Sequence, residues 1–104
     1  MALTRDFRET VVARARRDAK FREAMFTQAL DAYLSGDTST GKAMLRDLVN
    51  ATIGFEGLAE EVKKPSKSLH RMLAERGNPS TENFFDIVQA LQRRTRVRLR
   101  VTSA

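Results

Sequence analysis

Apolar residues along the first half of this chain recur at the three-to-four-residue spacing of amphipathic helices. Between residues 7 and 15 this spacing predicts a first helix over about 3–17. A longer apolar stripe predicts a second helix over 19–34, with Asp18 as its N-cap. A third helix is predicted near 42–52 and is broken by Gly54.

The second half contains shorter apolar stripes separated by turn residues. They predict three further helices, over 55–62, 66–76 and 81–91. Pro65 disfavours helical angles at Lys64, so a turn is expected between the first two of these helices. Ser66 is a suitable N-cap for the next helix, and Gly77 is expected to end it.

After Gln92 the pattern changes to strict alternation. Apolar and basic residues alternate through Arg96, Val97, Arg98, Leu99, Arg100 and Val101. This period predicts a half-buried strand over 94–102. Because the sequence offers no second strand, we expect two copies to pair about a two-fold axis, with Val97, Leu99 and Val101 in a homodimer seam. The alternative is that the strand adds to the sheet edge of a protein partner.

These elements together predict an all-α, λ-repressor-like bundle of five to six helices with one C-terminal strand. At 104 residues the chain is expected to form one domain. Its parts are N-terminal helices (1–36), a helix-turn-helix core (41–91) and the strand (94–102).

Composition narrows the possible chemistry. The chain has no Cys and one His, which excludes disulfides, thiol catalysis and a cluster of imidazole ligands. No phosphate-binding glycine motif or calcium loop is present, so we expect no enzyme activity, metal or cofactor. No apolar run could cross a bilayer, and residues 1–8 lack an apolar signal segment. We therefore expect a cytoplasmic protein that does not bind membranes.

The charge balance points to a polyanionic partner. The net charge is +6, and the excess lies at the two ends: residues 1–20 carry six basic and three acidic groups, and residues 79–104 carry five and two. All five basic residues of the latter segment are arginines between Arg93 and Arg100. Such a protein is attracted to nucleic acid by non-specific electrostatics.

The helices predicted over 55–62 and 66–76, with the short turn between them, have the pattern of a DNA-binding helix-turn-helix. On a helical wheel one side holds Leu69, Met72, Leu73 and Arg76, and Lys67 and Arg71 point away from it. The predicted DNA-binding residues are Lys64, Ser66, Lys67, Ser68, His70 and Arg71. Lysine and arginine can read guanine in the major groove. The alternative is an ordinary solvated helix face.

Two further features qualify this prediction. Many such turns have Gly where Lys63 stands, because the backbone there tends to positive φ, and Lys in that conformation costs on the order of 1 kcal/mol. The C-terminal arginines can follow DNA phosphates, face an acidic partner, or form the solvated side of an edge strand. Possible phosphate contacts are Lys63, Arg96, Arg98 and Arg100.

Several segments also resemble a known family. The residues concerned are Gly41–Asp47, Asn50–Phe55, Leu58-Ala59, Lys64–Leu69 and Gly77-Asn78-Pro79. Over about residues 21–91 the chain resembles small bacterial helix-turn-helix regulators of the addiction-module antidote type, similar to HigA-like antitoxins. The resemblance implies operator binding as a homodimer and sequestration of a RelE/ParE-like toxin.

Two functional hypotheses follow. The first is a sequence-specific DNA-binding transcriptional regulator, an antitoxin that represses its own operon and neutralises its toxin. The second is a protein-interaction module that docks a toxin or other partner without sequence-specific DNA binding. The basic outer face of residues 66–71 favours the first hypothesis, since an acidic or apolar face would suit a scaffold.

Overall fold

The computed structural model describes residues 5–104, which form six helices and no strand. The helices are α1 (Arg5–Arg17), α2 (Ala19–Leu34), α3 (Thr38–Ala51), α4 (Gly54–Val62), α5 (Ser66–Met72) and α6 (Thr81–Thr95). The predicted all-helical class is thus confirmed. The first two residues of the predicted helix over 3–17, and half of the segment inspected for a signal sequence, lie outside the described residues. None of the six helices has the length and apolar character needed to span a bilayer.

Short polar side chains fix where three of the helices begin. The Asp18 carboxylate accepts a hydrogen bond from the Phe21 N–H at 3.1 Å and caps α2, as predicted. Asp37 accepts from the Thr40 N–H at 3.2 Å, so α3 begins at Thr38, four residues before the predicted start. Ser80 caps α6 in the same way. These bonds satisfy N–H groups that have no partner within the helix.

One hydrophobic core joins all six helices. α3 lies at its centre, against α1, α2 and α4, and α6 closes the other side against α4 and α2. Fully buried leucines come from α3, α4, α5 and α6: Leu45, Leu48, Leu58, Leu69 and Leu91. On the rim, the Tyr33 ring lies 4.4 Å from that of Phe84, and its buried hydroxyl has no hydrogen-bond partner among the described residues.

The N-terminal helices support α3. Asp47 of α3 is buried, and its carboxylate forms an ion pair with Arg8 of α1 at 3.0 Å. At the other end of α1, the Arg16 guanidinium donates to the Asn50 carbonyl oxygen at 3.1 Å. α1 is therefore fastened to α3 near both ends.

The strand predicted over 94–102 is wrong for this chain. α6 continues to Thr95, and Arg96 turns the backbone with φ of 59°. The following residues have no regular secondary structure. Val97 and Leu99 pack against the chain's own core, and the Leu99 N–H donates to Gln92 Oε1 at 2.8 Å. The Val97 N–H also donates within the chain, to Thr95 Oγ1 at 3.3 Å. Because two apolar side chains are covered internally and two N–H groups have internal partners, these groups do not require a dimer seam.

The alternation itself is nevertheless visible in the tail, which we define as residues 96–104. Arg96, Arg98 and Arg100 are exposed, and Val97 and Leu99 are half-buried. Val101, the third residue of the predicted seam, is 81% exposed. Through Leu99 the period of two therefore indicates which side chains face the protein, although residues 5–104 contain no strand.

The helix predicted over 66–76 is also shorter than expected. α5 ends at Met72, and residues 73–77 form tight turns, including a hydrogen bond from the Gly77 N–H to the Ala74 carbonyl at 2.8 Å. A Cβ atom on Gly77 would lie 2.1 Å from the Arg71 carbonyl oxygen. Only glycine therefore allows the chain to pass this close to the end of α5.

Candidate nucleic-acid interface

The helix pair α4–α5 consists of α4, the turn of residues 63–65, and α5. Lys63 adopts the left-handed conformation, with φ of 59° and ψ of 48°, which confirms the positive φ expected at this position. Its N–H and that of Lys64 both donate to the Ala59 carbonyl and close the end of α4. Pro65 then occupies the N-cap position of α5 in an extended conformation. Ser66 is the first helical residue rather than the predicted N-cap.

The two sides of α5 differ as the wheel predicted. Leu69 and the next residue on that side, Leu73, are fully buried, and Met72 is half-buried. Lys67 and Arg71 are exposed. The remaining predicted DNA-binding residues differ in exposure. His70 is exposed, whereas Lys64, Ser66 and Ser68 are half-buried. The structure thus places two cationic side chains on one solvent-facing side of a short helix.

His70 has a contact that the sequence analysis did not anticipate. Its imidazole stacks on the Phe55 ring, with centroids 3.8 Å apart and an interplanar angle of 18°. Phe55 lies in the first turn of α4, so the stack joins the two helices of the pair. His70 therefore has a packing role even though one face of its ring is accessible.

A second basic stretch adjoins the helix pair α4–α5. Arg93 of α6 forms an ion pair with Glu61 of α4, with Nε and Oε1 2.7 Å apart. This contact joins the C-terminal ends of α4 and α6, just before the two residues in left-handed conformations, Lys63 and Arg96. Arg98 and Arg100 continue along the tail and are exposed. All four predicted phosphate contacts are thus solvent-accessible, and two of them follow directly on joined helix ends.

Two cations of α3 bind the segment that follows α5, and the sequence analysis missed their role. The Lys42 ammonium donates to the carbonyl oxygens of Glu75 and Gly77 at 2.9 and 2.6 Å. The Arg46 guanidinium donates to the Leu73 carbonyl oxygen. Partial burial is the main cause that lowers the pKa of Arg46 from its ordinary value. A signal was present, because Lys42 and Arg46 are four residues apart and fall on one helix face.

Among residues 5–104 no group of three or more His, Cys, Asp or Glu side chains could hold a metal ion. Glu61, the acidic residue closest in sequence to the turn of residues 63–65, is paired with Arg93. The exposed lysines and arginines of the helix pair α4–α5 and the tail can present positive charge and hydrogen-bond donors to an extended anion.

Comparison with family models, with curated proteins and with solved structures finds no significant match to this chain.

Proposed function

We propose that the protein is a sequence-specific, double-stranded-DNA-binding transcriptional regulator that uses the helix pair α4–α5 as a helix-turn-helix, within a λ-repressor-like bundle. The observation that carries this proposal is the two-sided character of α5. Leu69 is fully buried on one side, and Lys67 and Arg71 are exposed on the other. A short helix anchored on its predecessor with donors facing outward has the features needed to enter a major groove.

The surrounding charge supports the same orientation. Lys63 lies in the turn before α5, and Arg96 follows α6 where that helix meets α4. We assign these two residues, with Arg98 and Arg100, to phosphate contacts, which position a protein on DNA without reading sequence. The net charge of +6 favours association with the duplex.

The wider biological role rests on the family resemblance. By that resemblance the protein is a cytoplasmic antitoxin that represses its own operon as a homodimer and neutralises a RelE/ParE-like toxin. A homodimer would place two α5 helices on half-sites about 34 Å apart. A short, basic RelE-like reading frame beside the gene supports the antitoxin role, and its absence counts against it. Light scattering on the full chain tests the dimer.

The central experiment selects duplexes from a random pool with the wild-type protein and measures affinity for the enriched sequence and for a random duplex. We expect the logarithm of affinity to fall linearly with the logarithm of salt concentration. Lys67→Ala and Arg71→Ala should each cost about 1–3 kcal/mol on the enriched duplex, whereas Arg96→Ala should weaken all duplexes about equally. Lys20→Ala, at an exposed lysine of α2, controls for lost charge.

The outcomes separate the two functional hypotheses. Failure to enrich any duplex, or an affinity unchanged between low and moderate salt, contradicts DNA recognition and favours the protein-interaction module. Enrichment with uniform losses in Lys67→Ala and Arg71→Ala makes them phosphate contacts. Wild-type affinity in both variants removes α5 from the DNA interface.

A further inference from the structure

Lys42 is a charged residue in an unusual place for a lysine. It belongs to the second turn of α3 and is only 5% exposed. Buried lysines are rare unless their charge is paired or hydrogen-bonded. The partners here are two main-chain carbonyls, of Glu75 and Gly77, rather than a carboxylate. Because the buried Lys42 ammonium is hydrogen-bonded to these two carbonyls, it fixes the position of the backbone at Glu75 and Gly77.

Arg46 makes the same kind of contact one helical turn later. It is half-buried and donates to the carbonyl of Leu73, the residue that ends α5. The two side chains thus bind three carbonyls within the five residues that follow α5. One rigid element, α3, which also carries Leu45 and Leu48 into the core, supplies both donors.

α5 needs such support more than the other helices do. It has seven residues, and helices this short are not stable on their own in water. Its N-terminus has no side-chain cap, because Pro65 occupies that position. The carbonyls at a helix C-terminus lack intrahelical partners and carry partial negative charge, which nearby cations stabilise. Arg46 supplies a cation at the C-cap residue Leu73, and Lys42 fixes the segment just beyond it through the carbonyls of Glu75 and Gly77.

We propose that Lys42 and Arg46 are positioning residues that fix the C-terminal end of α5 and thereby set the orientation in which Lys67 and Arg71 meet DNA bases. Neither residue needs to touch DNA. The inference rests on the proposed function for its DNA-binding part, but the holding of α5 is a property of the free protein. The two parts can therefore be tested separately.

The first experiment uses the free protein. Amide hydrogen exchange is measured in Lys42→Met, which keeps an unbranched apolar chain, and in Lys20→Met as the matched control at an exposed lysine. We expect the amides of α5 and Leu73 to exchange about tenfold faster in Lys42→Met relative to those of α2, because charge-assisted hydrogen bonds are lost locally. An equal acceleration across α2 and α5 means that Lys42 only stabilises the whole fold, and overturns the proposal.

The second experiment measures affinity for the duplex that wild-type protein enriches from a random pool, and for a random-sequence duplex. Lys42→Met should lose about tenfold or more on the enriched duplex, while its affinity for the random duplex stays within about twofold of that of Lys20→Met. Equal losses on both duplexes, or no loss on either, contradict a role in positioning.

Arg46 provides an independent check if Lys42→Met does not fold. Arg46→Lys keeps a cationic donor and should retain more preference for the enriched duplex than Arg46→Gln does. Equal behaviour of these two variants overturns the proposal. If wild-type protein enriches no duplex, the proposed function fails, and the exchange measurement still decides whether α3 holds α5.

Discussion

Replacing Lys63 by glycine should stabilise this protein, even though it removes a basic residue from the candidate interface. Lys63 is exposed and ends α4 with φ of 59°. The left-handed conformation costs a residue with a Cβ about 1–2 kcal/mol. Glycine avoids that strain but loses more backbone entropy on folding, about 0.5–1 kcal/mol. The net expectation is a gain of about 0–1.5 kcal/mol with a midpoint of about 0.75, which raises the melting temperature of a domain of this size by about 3–6 °C at that midpoint.

The measurement is thermal and urea denaturation followed by circular dichroism. Lys64→Gly is the matched control, because it removes the same side chain from the adjacent position, where φ is not positive. Lys64→Gly should not stabilise the protein, since there is no strain to relieve and glycine adds entropy to the unfolded chain. A Lys63→Gly variant no more stable than wild type, or the same change in both variants, refutes the reasoning.

The same variant separates stability from DNA binding. If Lys63 contacts a phosphate, Lys63→Gly should weaken binding to all duplexes about equally and reduce the salt slope by about 1. Higher stability with weaker binding would show that the strained lysine is kept for its charge. Unchanged affinity and slope would remove Lys63 from the phosphate contacts.

Three further predictions concern the fold. Gly77→Ala should destabilise by about 1–3 kcal/mol in urea denaturation, because its Cβ would crowd a backbone carbonyl; Gly57→Ala, whose nearest contacts are side-chain atoms of Ile53 rather than backbone, should cost less. Leu99→Ala should lower stability by about 1–2 kcal/mol, because Leu99 packs on the core, and Val101→Ala should change it by less than about 0.5 kcal/mol; equal effects would contradict the described tail. Hydrogen bonds from the Thr40 side chain and backbone lower the pKa of Asp37 below its ordinary value of 3.8. The contribution of this carboxylate to the stability of the fold is therefore complete above pH 3.8 and is lost as the pH falls through the lower pKa of the folded state. The stability gap between wild type and Asp37→Ala should therefore be largest at neutral pH and shrink in acid; a gap independent of pH would contradict a charged cap.

The sequence predicted the parts of the fold that depend on local signals. The bounds of α2 were correct because Asp18 caps its start and a continuous apolar stripe marks its length. The exposed and buried sides of α5 followed from helical periodicity alone, and so did the alternating exposure of the tail. The positive φ at Lys63 agrees with the tendency of many helix-turn-helix turns, which have Gly at this position.

The errors occurred where a distant residue decides the local structure. α5 ends at Met72, and the backbone carbonyls of the residues after it accept hydrogen bonds from Lys42 and Arg46 of α3. The local pattern of residues 66–76 does not indicate these contacts with a distant helix. The predicted strand was wrong because the chain's own core covers Val97 and Leu99, and Gln92 accepts a hydrogen bond from the Leu99 N–H. These groups had been expected to need a second copy of the chain. Sequence spacing showed that Val97 and Leu99 must be covered but not what covers them.

Tyr33, whose hydroxyl is buried, gives the protein an intrinsic optical probe. The chain has one tyrosine and no tryptophan, so its near-ultraviolet absorbance and fluorescence beyond the phenylalanine bands come from this one ring, between α2 and α6. Burial raises the pKa of Tyr33 to about 12, whereas in the unfolded chain it ionises near 10. Proton binding therefore favours the folded state between these values, and the fold loses stability as pH rises above 10. Phenolate absorbance appearing near pH 10 would signal that the α2–α6 contact has opened, without any attached label.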